Sequence, residues 1–382
     1  MNRVIVLTPP GRAALATIRL EGSAVKDVLE KQLLRRSGNK FRFEVLPRPV
    51  LVRFPVGDGL YEEVILRVVN SETAELHCHG NPLLVETITA KFETFGFQRE
   101  TWEQWIYRTE EDAIRAAARL ALADAPTWTV TSILLDQYGG SFPRMIDKVE
   151  NALIEGNWQE AADILHRLLS WERVGLHLTR PYKVVLVGPP NAGKSSILNW
   201  LVGYRRAIVD PTPGTTRDFV AAATVVEGWP VELYDTAGLR PPQDELEAEA
   251  IARTRRTASD ADLVLLVLDR STEWTADYAR LREAWPEAVV ILNKRDLPPG
   301  PGAWCEGLYL STRIGEDRPV LLKALSQKLV PEPPPPGEAI PFTPDQVARL
   351  KEALAAVETR NRSMAVKALQ SLKLKSSPLG NP

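Results

Sequence analysis

The stretch GPPNAGKS at residues 188–195 decides the fold class. It matches the pattern G-x-x-x-x-G-K-[ST], in which a glycine-rich loop leads from a strand into a helix. The apolar run Lys183–Val187 before it predicts a buried strand, and Ser196–Leu201 after it has a helical pattern. This context predicts an α/β domain with a phosphate-binding loop (P-loop).

The residue types of the loop explain how it would hold a phosphate. Gly188 and Gly193 let the backbone turn tightly, so that N–H groups converge on phosphate oxygens. Lys194, a catalytic candidate, carries positive charge to the β- and γ-phosphates, and the Ser195 hydroxyl can ligate Mg²⁺. A chance glycine-rich loop is the alternative. The predicted nucleotide-binding residues here are Gly188, Asn191, Ala192, Gly193, Lys194, Ser195 and Ser196.

A second motif, Asp235-Thr-Ala-Gly238, follows the alternating run Pro230–Tyr234. An aspartate at that strand end can hold Mg²⁺ through water, and the Gly238 N–H can sense the γ-phosphate. By itself this segment would also be an ordinary turn. Asp235 and Gly238 are therefore predicted nucleotide contacts, and Gly238 is a catalytic candidate.

A third motif, Asn293-Lys294-Arg295-Asp296, follows the apolar run Ala288–Leu292. A carboxylate there can accept from N1–H and the 2-amino group of guanine, a pair of donors that adenine lacks. A charged surface turn is the alternative. A weaker fourth element, Ser311-Thr312, would bring its backbone to guanine O6. The predicted base-binding residues are Asn293, Lys294, Asp296, Ser311 and Thr312.

The polar segment DPTPGTTRD, residues 210–218, lies between the first two motifs, where a mobile switch loop belongs. We expect Thr215 and Thr216 to contact the nucleotide, with the Thr216 hydroxyl completing the Mg²⁺ shell and acting in catalysis. The residue after Gly238 is Leu239 rather than glutamine, so the usual water-orienting side chain is missing.

Three kinds of pattern divide the chain. Residues 1–115 have the strand and turn signals of an α+β domain, and residues 116–179 have helical spacing. Strands and helices alternate over residues 180–330, which predicts a parallel sheet with crossover helices. The proline-rich run 331–336 is typical of a stiff linker, and the pattern after it predicts a helix over about Pro344–Glu358 within residues 338–382.

Composition restricts the class of protein. The 382 residues carry 47 basic and 49 acidic side chains, a net charge of −2, so overall charge alone would not hold nucleic acid. Cys78 and Cys305 are the only cysteines, which excludes a disulfide framework and favours a reducing compartment. Without a signal peptide or a long apolar run, we expect a cytoplasmic protein with no membrane association.

Three stretches, GPPNAGKSSILNWLVG, AIVDPTPGTTRDFV and LYDTAGLRPPQDELE, resemble the tRNA-modification GTPase family MnmE, also called TrmE. Near the start of the chain, TPPGRAALATIRLEGS and ELHCHGNP resemble that family's amino-terminal domain. The resemblance implies an α/β P-loop GTPase domain inserted in a helical domain and preceded by an α+β N-terminal domain.

The resemblance also implies GTP hydrolysis that K⁺ stimulates, in a homodimer whose GTPase domains meet across their nucleotides. K⁺ would offset the charge that develops between the phosphates, where other GTPases use an arginine. Glu247 aligns with the family's catalytic glutamate, which orients water indirectly; a solvated helix-face charge is the alternative. The implied K⁺ ligands are Asn191, Asp210, Thr212 and Thr215.

The family also binds a formyl-tetrahydrofolate and works with a flavoprotein partner of the MnmG (GidA) type on the wobble uridine of tRNA. Arg19 and Glu75 fall on folate-contact positions of that family. The chain departs from the family pattern in two places. The family's Gly-Glu-Phe-Thr segment is not recognisable, and the chain ends in Leu379-Gly380-Asn381-Pro382 rather than in Cys-x-Gly-Lys.

Three functions therefore stay open. The first is a GTPase of tRNA modification. The second is a related protein that keeps the GTPase switch and serves as a regulatory or ribosome-associated module without folate chemistry. The third is a scaffold with an inert GTPase domain, against which Lys194, Asp235 and Asp296 argue.

Overall fold

The computed structural model describes residues 1–44, 48–57, 59–203, 220–235, 260–302 and 305–375. These residues form two compact units, each with its own sheet. The first unit comprises Met1–Ala113 together with Lys375, and the second comprises Ile114–Leu374.

Within the described residues, the first unit has a seven-stranded sheet in the order β3-β4-β5-β6-β2-β1-β7. Neighbouring strands are antiparallel except β1 and β7, which are parallel. The strands are β1 (Arg3–Val6), β2 (Leu15–Glu21), β3 (Leu34–Arg35), β4 (Val50–Gly57), β5 (Leu60–Asn70), β6 (Thr73–His79) and β7 (Gln98–Glu100). The helices are α1 (Val25–Gln32), α2 (Pro82–Thr94) and α3 (Trp102–Thr109).

One face of this sheet carries the core of the first unit. In β5, Val64, Leu66 and Val68 are buried, whereas Ile65 between them is 42% exposed. Phe92 of α2 packs on the buried face, and its ring lies 5.3 Å from that of Phe54 in β4. This alternation is typical of an antiparallel sheet with helices on one side.

The second unit has a six-stranded sheet within the described residues, in the order β13-β12-β11-β8-β10-β9. All neighbours are parallel except β9 and β10. The strands are β8 (Tyr182–Val187), β9 (Val220–Val226), β10 (Trp229–Asp235), β11 (Leu263–Asp269), β12 (Val289–Asn293) and β13 (Leu308–Tyr309). The helices beside this sheet are α9 (Lys194–Val202), α10 (Ala276–Ala284) and α11 (Asp317–Leu329).

A helical layer belongs to the same unit. Its members are α4 (Ala113–Ala123), α5 (Trp128–Tyr138), α6 (Ser141–Glu155), α7 (Trp158–Ser170), α8 (Glu172–Leu176), α12 (Pro344–Glu358) and α13 (Arg362–Lys373). α12 and α13 follow the sheet in sequence, yet α12 packs on α7 and α13 packs on α6. One continuous core joins these helices to the sheet, and it includes Val184 and Leu186 of β8.

β8 is packed on both faces, as a central parallel strand requires. Val185 and Val187 face a separate apolar cluster that also contains Leu266 and Leu292. At the amino end of the strand, the buried Tyr182 ring stacks on His177 with centroids 3.7 Å apart. Asp262 fixes this junction, because it accepts from His177 Nε2 at 2.9 Å and from the Lys183 amide at 2.8 Å.

Within the part of the chain that the structure describes, no helix is both long and apolar enough to span a bilayer.

Candidate nucleotide-binding site

The two P-loop glycines have no room for a side chain. Gly188 leaves β8 with φ 145°, and a Cβ there would lie 2.1 Å from the Val267 carbonyl oxygen. Gly193 precedes α9 with φ 98°, and its Cβ would lie 2.2 Å from Asn293 Nδ2. Asn191 between them is also left-handed, with φ 63°. Such backbone is costly for a residue with a side chain and is concentrated at functional sites.

Lys194 is the first residue of α9, and its side chain folds back over the loop. The residue is 7% exposed. Its Nζ donates to the Gly188 carbonyl at 2.8 Å and to the Pro189 carbonyl at 2.9 Å. An ammonium group has three donors, so these two bonds leave one for a phosphate oxygen. Burial lowers the pKa of Lys194, and the charge of Asp235 opposes that shift.

Ser195 and Asp235 meet at the end of the P-loop. Asp235 ends β10, and its register partner is Leu186 of β8, so the carboxylate lies at the loop's edge of the sheet. Ser195 Oγ donates to Asp235 Oδ2 at 2.5 Å. A hydroxyl and a carboxylate are the hard oxygen ligands that suit Mg²⁺. The pair therefore fits a magnesium ion, which would neutralise charge on the phosphates when bound.

Asn293 connects the end of β12 to the P-loop. Its Nδ2 donates to the Ala192 carbonyl at 2.8 Å. The residue is 2% exposed. Its Oδ1 is buried without a hydrogen-bond partner among the described residues. Because buried polar atoms are nearly always hydrogen-bonded, this oxygen is available to a donor from a bound group.

Lys294 is held by an aspartate that sequence reasoning missed. Its Nζ lies 2.5 Å from Oδ2 of Asp269, which ends β11 beside Asn293 in register. Burial opposes ionisation of Asp269, but hydrogen bonds from Lys294 and Ser271 outweigh it, and the pKa of Asp269 is lowered. The signal was an acidic residue directly after the buried run Leu263–Leu268.

Asp296 and Ser311 come from different loops and lie in contact. Ser311 Oγ donates to Asp296 Oδ1 at 2.7 Å. This bond lowers the pKa of the Asp296 carboxyl, which therefore stays ionised at neutral pH. Thr312 follows at the same edge and is half-buried. The structure thus brings the two predicted base-binding segments together.

The structure describes only part of the predicted site. Asn191, Ser195 and Ser196 are among the described residues and are exposed beside the buried Ala192. The predicted catalytic, magnesium and potassium positions that lie outside are Asp210, Thr212, Thr215, Thr216, Gly238 and Glu247. The second switch is therefore represented only by Asp235 at its start.

The predicted folate contacts lie on neighbouring strands of the first unit. Arg19 and Glu75 are register partners on β2 and β6. Arg19 Nη1 lies 2.8 Å from Glu75 Oε1, and Arg67 Nη1 lies 3.1 Å from Glu75 Oε2. Guanidinium groups therefore hold both carboxylate oxygens of Glu75.

Comparison with known proteins places these features in a family. The model of the family described as 50S ribosome-binding GTPase matches residues 183–294, which contain the P-loop and the Asn293 strand end. The tRNA modification GTPase MnmE of Thermus thermophilus is 29% identical over 92% of this chain and 89% of its own length. The MnmE proteins of Parasynechococcus marenigrum and a Synechococcus species are 31% and 30% identical, each over 85% of this chain and 80% of the relative.

The chain belongs to the MnmE family. Its α/β domain is that of a GTP-hydrolysing enzyme, since the family-model match and the P-loop geometry coincide. Among solved structures, the G domain of the T. maritima FeoB iron transporter is 25% identical over 40% of this chain. Its TM-score of 0.28 is too low for a comparison of folds.

Proposed function

We propose that this MnmE-family protein hydrolyses GTP to GDP as a step in the modification of tRNA. The observation that carries the proposal is the meeting of three groups at the carboxyl ends of neighbouring parallel strands. These are the P-loop ammonium of Lys194, the Ser195–Asp235 oxygen pair and the Asp296–Ser311 pair. Ligands bind at this edge in open α/β sheets.

The residues divide the work of phosphate transfer. The P-loop amides and Lys194 hold the β- and γ-phosphates, while Ser195 and Asp235 would hold Mg²⁺. Asp296 accepts the guanine donors and excludes adenine. For the remaining steps we propose the family roles: Thr216 closes over the γ-phosphate, Gly238 senses it, and Glu247 orients the attacking water.

We further propose that the GTPase domain of residues 180–330 is inserted in a helical domain of residues 116–179 and 338–382, with an α+β domain before it at 1–115. The packing of α12 and α13 on α6 and α7 supports this assignment. On the same family basis the active form is a homodimer in the cytoplasm, and K⁺ stimulates it through Asn191 and the 210–215 loop.

The first experiment compares GTP hydrolysis by the full chain in K⁺ and in Na⁺. We expect faster phosphate release in K⁺ and a rate per molecule that rises with protein concentration, because dimerisation is required. Asn191→Lys places an ammonium near the cation position and should remove the K⁺ dependence. Equal rates of the unmodified protein in both salts would contradict the cation mechanism, and a lack of preference for GTP over ATP would contradict the whole proposal.

The second experiment tests the tRNA role. Deletion of the gene should remove the wobble-uridine modification, and a Lys194→Ala gene should not restore it. The partner we propose is a flavoprotein of the MnmG type, and the cofactor of the first unit is a folate derivative at Arg19 and Glu75. Titration of Arg19→Ala with a reduced folate, against the unmodified chain, tests that ligand independently of GTP.

A second candidate function is a regulatory or ribosome-associated GTPase switch without folate chemistry. The description of the matched family model, a 50S ribosome-binding GTPase, favours it. Unchanged tRNA modification after deletion, together with nucleotide-dependent sedimentation of the chain with 50S subunits, would select this candidate.

A further inference from the structure

The guanine-binding carboxylate sits between two loops that are joined by few bonds. The Asp296 loop follows β12 and the Ser311 loop follows β13, and β13 has only the two residues Leu308–Tyr309. The backbone bond from the Arg295 amide to the Leu310 carbonyl, 3.1 Å, joins these loops. The Ser311–Asp296 hydrogen bond of 2.7 Å joins them again. Arg313 Nη1 also lies 3.4 Å from Asp296 Oδ2, but its side chain is 80% exposed. The position of Asp296 therefore depends mainly on how firmly Ser311 and Arg295 are held.

One buried carboxylate contacts both of those residues. Asp317 is 4% exposed and is the first residue of α11. Its Oδ2 accepts from Arg295 Nε at 2.6 Å and its Oδ1 accepts from Arg295 Nη2 at 2.5 Å. Its Oδ2 also accepts from the Ser311 amide at 2.7 Å.

The chemistry of these bonds makes Asp317 a strong fixing point. A bidentate pair of guanidinium and carboxylate fixes orientation as well as distance. The carboxylate lies in the first turn of a helix, where a negative charge is favourable. Loss of these donors would leave an unpaired buried charge, which costs free energy. The loss of any of the three bonds is therefore unfavourable.

We propose that Asp317 is a positioning residue that sets the preference for guanine. It holds Arg295, which is adjacent to Asp296 in the chain, and it holds the amide of Ser311, whose hydroxyl binds Asp296. Asp317 itself has no role in contacting the base. The inference rests on the proposed GTP site and adds a residue outside the Asn-Lys-Arg-Asp and Ser-Thr motifs.

The measurement must distinguish a role of Asp317 in positioning Asp296 from a role in the general stability of the domain. Hypoxanthine, the base of inosine diphosphate, lacks the 2-amino group of guanine but keeps N1–H and O6. The ratio of the Kd for inosine diphosphate to the Kd for GDP therefore reports how well Asp296 meets the 2-amino group. A merely structural role of Asp317 would weaken both nucleotides equally and leave the ratio unchanged.

The experiment measures both Kd values for the full chain and for three variants. Asp317→Asn should weaken GDP about tenfold, equivalent to loss of one charge-assisted bond of about 1.4 kcal/mol. Inosine diphosphate should weaken less than about threefold, so the ratio falls. Arg295→Lys keeps the charge but loses the fork, and should lower the ratio in the same direction. Asp277→Asn, an exposed aspartate in the first turn of α10, is the matched control and should leave the ratio unchanged.

One outcome is decisive against the inference. A ratio within twofold of the unmodified chain in both Asp317→Asn and Arg295→Lys would overturn it. If Asp317→Asn does not fold, Arg295→Lys alone decides, because Arg295 is 39% exposed at its side chain and its replacement leaves no cavity. A failure of the proposed function looks different, because the unmodified chain would then show no preference for GDP over ADP.

Discussion

Gly188 shows how a single position limits the sequence of the site. Its backbone is left-handed, and the space where a Cβ would stand is filled by the carbonyl of Val267 on the neighbouring strand. The sequence pattern identified this glycine from the motif, but the contact with β11 that requires it is visible only in three dimensions.

Gly188→Ala should therefore both destabilise the chain and weaken nucleotide binding. We expect a loss of at least about 3 kcal/mol in the free energy of unfolding, because strain and a backbone collision add together. Gly337→Ala is the control: its φ is +80° but no atom lies within 4 Å of the position that a Cβ would take, so only the left-handed cost of about 1–2 kcal/mol applies. Urea denaturation measures the free energy of unfolding of both variants. Equal losses in Gly188→Ala and Gly337→Ala would contradict the steric explanation.

Asp262 makes the stability of the second unit depend on pH. Burial opposes its ionisation, but hydrogen bonds from His177 and the Lys183 amide outweigh burial and lower its pKa below the ordinary 3.8. A carboxyl of this kind stabilises the fold above pH 3.8, and the contribution is lost as the pH falls through the lower folded pKa.

Asp262→Asn should thus lower the free energy of unfolding by about 1–3 kcal/mol at neutral pH. The difference from the unmodified chain should shrink below pH 3.8, where the carboxyl becomes protonated first in the unfolded and then in the folded state. Urea denaturation over this pH range measures it, with the exposed Asp163→Asn expected within about 0.5 kcal/mol of the unmodified chain. A difference that is constant down to the lowest pH would contradict the role of the charge.

The residues that escaped prediction share one property. The basic residues that pair with Asp269 and Asp317 are 25 and 22 positions distant in sequence. Lys194, Ser195, Asp235 and Asp296 could be selected because their motifs are local and their order along the chain is characteristic. Pairs formed by folding leave no comparable local pattern.

Among the helices, a capping signal coincided with one predicted boundary, but capping alone did not decide which helices were predicted. The predicted helix Pro344–Glu358 coincides with α12, which has Thr343 as its N-cap, Pro344 in the first turn and a capping box with Gln346. α11, by contrast, begins after Glu316, which makes no side-chain cap, and its start has no such signal. α2, α5 and α10 were likewise not predicted, although their caps are visible in retrospect at Asn81, Thr127 and Thr275.

A buried glutamine is one of the residues that hold the segment returning the chain from the sheet to the helices. Gln137 in α5 is fully buried. Its Nε2 donates to the Glu338 carbonyl at 2.9 Å and its Oε1 accepts from the Ile340 amide at 3.1 Å. These two bonds replace the partners that a strand neighbour would otherwise supply to the backbone.

Gln137→Leu should destabilise the second unit by about 2–6 kcal/mol, because two buried backbone groups lose their partners at about 1–3 kcal/mol each. The control is Gln159→Leu on the exposed face of α7, expected within about 0.5 kcal/mol. Thermal and urea unfolding of the two variants give the comparison. Equal stability of both would show that the return segment is held by other contacts.

At the scale of the whole molecule, the two units have separate apolar cores. The core of the first unit draws on residues from Val4 to Phe97, and the cores of the second draw on residues from Ile114 to Leu372. The change from alternating strands to helical spacing near residue 115 was visible in sequence. The packing of α12 and α13 on helices about 200 residues earlier was suggested by family resemblance and not by local pattern.

A fragment of residues 114–374 should fold alone and bind GDP as the full chain does. It contains every described residue of the nucleotide site and a core of its own, so we expect one cooperative transition and a Kd within about threefold. Circular dichroism and nucleotide titration check this, with Lys194→Ala in the fragment as the non-binding control. A fragment without a cooperative transition would show that the first unit supplies stability to the second.

β8 connects the helical layer of the second unit to the phosphate loop. The ring of Tyr182 at its start is stacked on the end of the helical layer, and the residue after Val187 is already part of the phosphate cradle. Six extended residues cover about 20 Å. Because side chains pack on both faces of the strand, its extended backbone fixes the distance from the phosphate loop to the helical layer. The phosphate loop is therefore joined to the helical layer by a buried strand that is paired with β10 and β11.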